Sequence, residues 1–489
     1  MAYGSLADFL EDLASGGQLA RTSALVDPVL EIAEVTRRVA RQCGPALLFE
    51  QVSGSSLAVV TNLLGSESRV CRALAIDSLD EIGARTEGLI QRHTPQNWFD
   101  RLKTSGDEAG ANKFRPKPIK TGACQQVVRL GRDVDLSMLP LVKSWPDESG
   151  PAITAGRIVS LGRAGGERCV TVCPLVRLDA NRLAVVDAGR GELARHWAEY
   201  RAANAKMPVA VVLGGDPAHS VAARLDLPEA ADPYHMTGLL RCQALDVVKC
   251  RTHELEVPAD ADVVLEGYLD PDDAGATAVV AAAGASHYQT VGDVPVLHVA
   301  AITQRSHAIM PALIDSGMHG EAAALSKARE RLLLPAVQAV VPGVVDLHLP
   351  PYAAPQHFAF VSIRKAYPYH ARQVACALWG WQSLRFTKYL VIVDSEVNVR
   401  DTPGVLAEIG AHVAPEHDLF SYDGPGQAPS HGTPEGALQR HLGIDATAKI
   451  AGERSRLASV RLVPSDEIVR LVAGRWEQYQ LDLPDRGPG

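Results

Sequence analysis

The sequence of 489 residues contains no run that is dense in lysine and arginine. Its 48 basic residues are outnumbered by 57 acidic ones, which gives a formal net charge of -9. A chain of that sign repels a phosphate backbone unless a local basic patch overrides the repulsion. We therefore expect no nucleic-acid partner.

Long apolar runs and a disulfide framework are also missing. The most apolar stretch, Ala274 to Ala285, is rich in alanine and glycine and is shorter than the about 20 residues that a membrane-spanning helix needs. The first 17 residues mix apolar and acidic side chains, unlike a signal peptide. Eight scattered cysteines suit a reducing compartment. We expect a cytoplasmic protein with no membrane partner.

The short motifs of common enzyme classes are absent. The sequence has no phosphate-binding loop with GK[ST], no complete GxGxxG, no GxSxG and no HExxH. Cys169 and Cys173 lie close in sequence without further residues at metal-binding spacing, which favours two buried thiols over a metal site. Asp394, Glu396 and Asp401 follow an apolar strand, where solvated or helix-capping carboxylates are commoner than a cation site.

Alternating helical and strand patterns predict an α/β (α+β) fold, and the length suggests about three parts. We assign an N-terminal α/β domain to residues 1–118, with an aperiodic boundary from Thr104 to Lys120. Apolar spacing predicts helices and strands in this domain. They are helices around Leu6 to Leu13, at Glu31 to Gln42 and at Ser78 to Gln91, and strands at Ala46 to Phe49 and Leu57 to Thr61.

The central part, residues 119–320, contains many short apolar runs separated by turn residues. That pattern favours a β-barrel or sandwich over a doubly wound sheet. A helix is predicted at Glu192 to Ala205. The predicted strands are Gln126 to Leu130, Ala152 to Leu161, Cys169 to Leu178, Val209 to Leu213, Ala244 to Val248, Asp262 to Tyr268 and Val294 to Ile302.

Residues 321–342 are predicted to connect to a C-terminal α/β domain over residues 343–489. A helix from Glu321 to Leu334 is expected to stop at Pro335. A βαβ unit with a parallel strand pair follows, and Ser421 to Gly436 is expected to be an exposed loop. Ser465 is expected to cap a terminal helix whose apolar face suits packing on another subunit. That face contains Ile468, Leu471, Val472 and Trp476.

Several longer stretches, read in order, resemble the UbiD family of decarboxylases. The likeness extends over nearly the whole chain. The stretches are GACQQVV (Gly122 to Val128), DVDLSMLPLVKSWPDESG (Asp133 to Gly150), MPVAVVLGGDPA (Met207 to Ala218), VVKCRTHELEVPADADVVLEGYLDP (Val247 to Pro271), VSIRKAYPYHARQV (Val361 to Val374) and FTKYLVIVDSEVNVRD (Phe386 to Asp401).

The resemblance implies a central split β-barrel that binds prenylated FMN and a C-terminal part that builds a homodimer or hexamer. It also implies a small carboxylic acid, aromatic or α,β-unsaturated, as substrate, and a flavin prenyltransferase as the supplier of the cofactor.

The positions that correspond to the family's catalytic residues differ in this chain. By the resemblance, Pro174 stands at the position of a catalytic arginine, and Thr277 to Gln289 replaces an acidic segment without any carboxylate. The family's divalent metal ligands correspond to Cys169, about Gly189 and Pro233. We therefore expect the metal site to be lost.

Three functions are compatible with this combination, and we expect the first, a carboxy-lyase. If the chain is a carboxy-lyase with a rebuilt site, His287, Tyr288 and His307 are the candidate catalytic residues. Candidate substrate- or cofactor-binding residues are Thr154, Arg157 and Arg305, the arginines as carboxylate clamps. The alternative is a non-catalytic paralogue, a scaffold or a partner subunit of an intact UbiD-like chain. Altered chemistry on the same fold is the third possibility.

Overall fold

A computed structural model describes residues 3–86, 113–163, 166–187, 191–225, 232–273, 275–281, 287–351, 357–381, 383–426, 438–453 and 464–479. The strands in these residues are β1 Leu19–Val26, β2 Ala46–Val52, β3 Ala58–Thr61, β4 Lys117–Pro118, β5 Val127–Leu130, β6 Ala152–Ile153, β7 Arg157–Leu161, β8 Arg168–Val172, β9 Leu175–Arg177, β10 Arg182–Val185, β11 Met207–Leu213, β12 Asp246–Lys249, β13 Glu256–Pro258, β14 Val263–Leu269, β15 Ala276–Ala281, β16 Tyr288–Val294, β17 Val296–Gln304, β18 Ile309–Ala312, β19 Val344–His348, β20 Phe358–Ile363, β21 Tyr389–Asp394, β22 Leu419–Pro425 and β23 Leu438–Asp445.

The α-helices of the same residues are α1 Leu6–Ser15, α2 Glu31–Arg41, α3 Glu67–Leu74, α4 Glu192–Ala202, α5 Pro217–Ala222, α6 Pro233–Leu240, α7 Glu321–Val340, α8 His370–Trp379, α9 Thr402–His412, α10 Pro415–Asp418 and α11 Asp466–Gly474. Residues 81–86 are helical as well, which confirms this part of the predicted helix at 78–91, whereas residues 78–80 form a bend and a turn before it. Its last part lies outside the described residues.

The N-terminal part is a four-stranded sheet in the order β1-β2-β3-β18. Helix α1 buries Leu6, Phe9, Leu10 and Leu13, the residues whose helical spacing predicted it. They share a core with strand β2, helix α3 and helix α7. Strand β18 comes from far along the chain and pairs in parallel with β3. The N-terminal sheet is therefore completed by a strand that follows the central barrel.

The central part is a nine-stranded sheet in the order β6-β9-β10-β17-β14-β11-β7-β8, with β5 paired to β17. Its pairs are antiparallel, as the pattern of short strands predicted. Two predicted strands are each divided in two, one into β6 and β7 and the other into β8 and β9. A smaller sheet, β13-β12-β4, packs on one face through a separate apolar layer.

The predicted helix end at Pro335 is wrong, because α7 continues through it to Val340. A proline inside a helix removes one hydrogen bond and costs about 3 kcal/mol. Buried apolar residues lie on both sides of Pro335, among them Leu333 and Val337, and their burial offsets that cost. Gly83 approaches Arg331 O and the proline ring too closely for a side chain.

The C-terminal part is a five-stranded sheet in the order β19-β20-β21-β23-β22. Strands β20 and β21 are parallel with α8 between them in sequence, which confirms the predicted βαβ unit. The exposed loop predicted from residue 421 is wrong in its first part, since residues 421–425 belong to β22 and pair with β23. An edge strand tolerates Gly424 and Pro425. Residues 427–437 lie outside the described range.

The terminal helix α11 begins after Ser465, where the sequence predicted it. Its apolar side chains are open to solvent in the single chain, with Ile468 53% and Leu471 49% exposed. None of the helices in the described residues is both long and apolar enough to cross a membrane.

Candidate functional site

A cavity of about 380 Å³ lies between helix α4 and strand β16. This volume falls within the range of small-molecule sites. Apolar side chains from β10, α4 and β14 form much of its wall, and Asp187, Arg201 and Asp293 add charge. The remaining lining residues are Val185, Leu193, Ala194, Trp197, Ala198, Leu269, Val291, Gly292, Val294 and Pro295.

Cys169 packs in the same apolar cluster as Leu193, one of the residues that line this cavity. Its strand position is paired with Ser160, whose hydroxyl lies 2.9 Å from Nδ1 of His196. Burial, together with the charges of Glu192 and Asp187, raises the pKa of the Cys169 thiol to about 12. The thiol is therefore protonated at neutral pH. Cys173 is buried in the same cluster, which confirms the two buried thiols.

Pro233 begins helix α6 and offers no side-chain ligand atom. The preceding Asp232 accepts from Tyr234 N at 2.8 Å. Asp232 also pairs with Arg168 at 2.6 Å, and Arg168 lies over the Tyr234 ring, 4.2 Å from its centroid.

Proline has no ligand atom, and Cys169 belongs to no group of three metal-binding side chains among the described residues, so Cys169 and Pro233 do not fit the divalent metal that the resemblance implies. Gly189, the third corresponding position, lies outside the described residues. The ion pair between Arg168 and Asp232 joins the segments that contain Cys169 and Pro233.

The hairpin β15–β16 carries two of the predicted catalytic residues. Tyr288 begins β16, and its hydroxyl accepts from Asp147 N at 3.3 Å. His287 immediately precedes it and is half-buried. Ser149 Oγ accepts from Val279 N at 2.7 Å, so the hairpin is held against residues 147–149. The opposite half of β16 lines the cavity, three residues or about 10 Å from Tyr288 along the strand.

The third predicted catalytic residue, His307, is exposed in the turn between β17 and β18. Arg305 lies at the start of that turn, and its backbone N–H donates to Asp262 O at 2.9 Å. Thr154, between β6 and β7, accepts from Leu313 N through Oγ1 at 2.9 Å. Thr154 therefore connects the barrel to the segment that follows β18.

Arg157 is fully enclosed, with 1% of its surface exposed. Its guanidinium donates to Ser220 Oγ and to the Gly214 carbonyl. Burial lowers its pKa to about 10, and the charge of Asp260 opposes the shift. The side chain thus binds the turn that follows β11.

Arg157 belongs to a cluster of buried ionisable groups that the sequence reasoning missed. Asp216 pairs with Arg241 at 2.8 Å, and Asp216 N donates to Asp260 at 2.8 Å. Asp262 accepts from Gly215 N at 2.8 Å and interacts electrostatically with both Arg157 and Arg305. The cluster therefore links two of the predicted binding residues.

One sequence signal could have indicated this cluster. Gly214 and Gly215 have positive φ angles of 71° and 78°, and an Asp-Pro pair follows them at the start of α5. Two adjacent glycines before an Asp-Pro cap are typical of a tight turn into a helix. The turn places Asp216 in the interior, where burial raises its pKa to about 6. Perturbed groups of this kind concentrate at functional sites.

Comparison with protein families assigns all three parts of the chain. The N-terminal domain of 3-octaprenyl-4-hydroxybenzoate carboxy-lyase matches residues 10–86, its Rift-related domain residues 117–318 and its C-terminal domain residues 323–446. The chain belongs to the UbiD family. An uncharacterized protein of Aquifex aeolicus (strain VF5) is 34% identical to this UbiD-family chain, over 91% of the chain and 92% of that protein.

Solved structures of UbiD-class enzymes have the same fold. HmfF from Pelotomaculum thermopropionicum, in complex with FMN, has a TM-score of 0.76 and 26% identity, covering 96% of this chain and 99% of HmfF. The closed form of vanillic acid decarboxylase from Sedimentibacter hydroxybenzoicus has a TM-score of 0.84 and 22% identity, covering 98% of this chain and 100% of that one. The predicted α/β fold with a central UbiD barrel is confirmed.

In this UbiD-family chain, Pro174 occupies the position to which the resemblance assigns a catalytic arginine. Its carbonyl accepts from Val186 N at 2.9 Å. Its ring has no titratable group, so it supplies neither a charge nor a proton. Any proton transfer in this chain must use other side chains.

Proposed function

We propose that the chain is a UbiD-type carboxy-lyase that removes CO₂ from an aromatic or α,β-unsaturated carboxylic acid with prenylated FMN. The observation that carries the proposal is the near full-length likeness to HmfF, a UbiD-class enzyme in complex with FMN. The cavity of about 380 Å³ is our candidate for the substrate or cofactor pocket.

The proposed reaction breaks the bond between a carbon atom and its carboxyl group, leaves the electron pair on that carbon and returns a proton to it. Prenylated FMN, when bound, supplies the electron sink. This chain must bind the carboxylate and supply the proton. Arg201 is a cation on the cavity wall and suits the phosphate of the cofactor, because the cavity lies at the other end of β16 from the proposed proton donor. His287, assisted by Tyr288, is the proposed proton donor.

The other predicted residues have proposed supporting roles. Arg305 and His307 share the turn after β17 and supply charge at one end of the barrel. Thr154 fixes the segment after β18, and Arg157 fixes the Gly214–Gly215 turn. Both are positioning residues in this proposal, because Thr154 Oγ1 accepts from Leu313 N and both terminal nitrogens of Arg157 donate to Ser220 and Gly214.

The proposal also covers the metal and the assembly. We propose that this chain lacks the divalent metal at the positions that resemble the family's site, because Pro233 has no ligand atom and Cys169 belongs to no group of three metal-binding side chains among the described residues. We propose a homodimer or hexamer that uses α11, a cytoplasmic location, and a flavin prenyltransferase as cofactor supplier.

A second function has a specific observation in its favour. Pro174 and the carboxylate-free segment from Thr277 to Gln289 remove several reactive groups together. A non-catalytic paralogue that acts as a scaffold, or as a partner of an intact UbiD-like chain, explains this simultaneous loss. Altered chemistry on the same fold is the remaining alternative.

Co-expression with a flavin prenyltransferase tests the proposed cofactor. The purified chain should show a flavin absorbance band whose intensity corresponds to about one cofactor per chain. The wavelength of the absorbance maximum should differ when the prenyltransferase is omitted. Manganese should stay far below one ion per chain in elemental analysis of the same sample. A chain free of flavin under both conditions would support the non-catalytic function, and stoichiometric manganese would contradict the loss of the metal site.

A further inference from the structure

Three side chains that can bind a metal ion lie close together, and none of them lines the cavity or belongs to the buried charge cluster. One ring nitrogen of His253, Sγ of Cys250 and a carboxylate oxygen of Glu266 lie within 4.8 Å of one another. Cys250 and His253 belong to the turn between β12 and β13, and Glu266 to the facing strand β14. The group therefore joins the small sheet to the central barrel.

One carboxylate oxygen of Glu266 accepts several hydrogen bonds, and the other accepts none from the described residues. Oε2 accepts from Arg251 N and Thr252 N at 2.8 Å each and from Thr252 Oγ1 at 2.9 Å. Oε1 is buried and has no hydrogen-bond partner among the described residues, and the whole residue is 0% exposed. A buried carboxylate oxygen without a partner is costly, which points to a cation.

The ring of His253 has an orientation typical of metal-binding histidines, with one nitrogen facing a backbone carbonyl and the other available as a ligand. Its Nε2 lies 3.1 Å from Val209 O, and a carbonyl only accepts, so Nε2 carries the hydrogen. Nδ1 then carries the lone pair, and it is buried without a partner in the described part of the chain. A backbone carbonyl on the second nitrogen fixes the ligand tautomer.

Cys250 completes the group with a thiol in an apolar layer. It is buried with Val248, Leu255 and Val257 between the two sheets. A bound cation displaces the thiol proton, because cysteine binds a metal as the thiolate.

We propose that Cys250, His253 and Glu266 form a binding site for a zinc-class divalent ion. One sulfur, one nitrogen and one oxygen are ligands that Zn²⁺ accepts in a tetrahedral site, at about 2.3, 2.0 and 2.0 Å. These bond lengths bring the three atoms to within about 4 Å of one another, so small side-chain rotations complete the site. The thiolate disfavours Mg²⁺ and Ca²⁺.

This site is separate from Cys169 and Pro233, the described positions that the family resemblance assigns to a metal. Three protein ligands leave a fourth position for water or another small ligand. The ion would fix the turn at residues 250–253 to β14 and would neutralise Glu266. Metal binding should therefore stabilise the fold.

Zinc binding to the full-length chain tests the proposal. After dialysis against a chelator, titration with ZnCl₂ should give one ion per chain and a higher melting temperature. Cys250→Ser and His253→Gln should weaken binding at least about 100-fold, since loss of an outer partner alone costs about 10- to 100-fold. Co²⁺ should give a thiolate charge-transfer absorbance that Cys250→Ser abolishes.

Cys71→Ser is the matched control, because Cys71 is also a buried thiol with a pKa raised by burial, and it lies outside the group. It should bind zinc as the wild type does. His253 is half-buried, so His253→Gln tests the proposal even if replacement of Cys250 prevents folding. Wild-type chain without micromolar zinc binding, or His253→Gln with wild-type affinity, overturns the proposal.

Discussion

Arg168 Nη1 lies 2.6 Å from a carboxylate oxygen of Asp232, and this ion pair joins strand β8 to the start of helix α6. The same guanidinium lies 3.3 Å from Glu256 and over the ring of Tyr234. One cation therefore binds two carboxylates beside the two described positions, Cys169 and Pro233, that resemble metal-ligand positions. The cation therefore holds the segments of Cys169 and Pro233 together.

Replacement of Arg168 should destabilise the fold. Arg168→Met retains the apolar stem but leaves Asp232 and Glu256 without their cation, and hydrogen bonds to charged groups contribute about 1.5–3 kcal/mol. We expect the free energy of unfolding in urea to fall by about 1–3 kcal/mol. Arg182→Met is the control, because Arg182 pairs with Asp179 at the surface and should cost less than about 1 kcal/mol. Equal effects would contradict the prediction.

Asp262 should make the chain less stable as the pH rises. Burial raises its pKa from 3.8 to about 6, although the N–H groups of Gly215 and Ile309 oppose the shift. Between about pH 4 and pH 6, Asp262 is protonated more often in the folded chain than in the unfolded chain. Protonation of Asp262 therefore stabilises the fold at low pH, and this contribution to the free energy of unfolding is lost as the pH rises through that window. Asp262→Asn should reduce the slope of the unfolding free energy against pH in this window, whereas Asp272→Asn, at an exposed residue, should not. An unchanged slope in Asp262→Asn, measured by denaturant unfolding at each pH, would refute the shift.

The terminal helix should control the oligomeric state. Ile468 and Leu471 are about half exposed in the single chain, and apolar faces of this kind commonly pack on another subunit. Deletion of residues 465–480, or Leu471→Asp within the full chain, should lower the mass measured by light scattering. Arg470→Ala changes a neighbouring exposed residue and should leave the mass unchanged. An unchanged mass after the deletion would rule out this role.

If the chain decarboxylates an acid, the reaction should depend on His287. Within Thr277 to Gln289, His287 and Tyr288 are the side chains that titrate, and general acid–base groups contribute about 10²- to 10⁴-fold. His287→Ala should lower turnover about 10²-fold or more. Tyr288→Phe should have a smaller effect, because the Tyr288 hydroxyl already accepts from Asp147 N. His417→Ala, at an exposed helix in the C-terminal part, is the control. Near wild-type turnover in His287→Ala would exclude this role.

Sequence patterns predicted the elements whose burial is periodic. The apolar spacing of Leu6 to Leu13 and the βαβ unit around His370 to Trp379 match the structure, because one face of each element packs on a core. The helix beyond Pro335 was missed because local propensity favours an end there, whereas the buried side chains on both sides of the proline are set by tertiary packing.

The buried polar groups were harder to predict. Asp216 and Asp262 look like surface carboxylates in sequence, and only the fold brings them into the interior with Arg157, beside the half-buried Asp260. Cys250 and His253 are three residues apart, but Glu266 lies on another strand, so their spacing matches no metal motif. Contacts between distant segments produce both clusters, and single-sequence periodicity carries no information about such contacts.

Release of labelled CO₂ tests the central claim most directly. Flavin-loaded chain is incubated with a panel of aromatic and acrylic acids that carry the label in the carboxyl group, beside flavin-free chain and flavin-loaded His287→Ala. The carboxy-lyase function predicts substrate-dependent release from at least one acid, which disappears without flavin and falls about 10²-fold in the variant. A flavin-loaded wild type that releases no CO₂ from any acid of the panel would contradict the claim and favour the non-catalytic function.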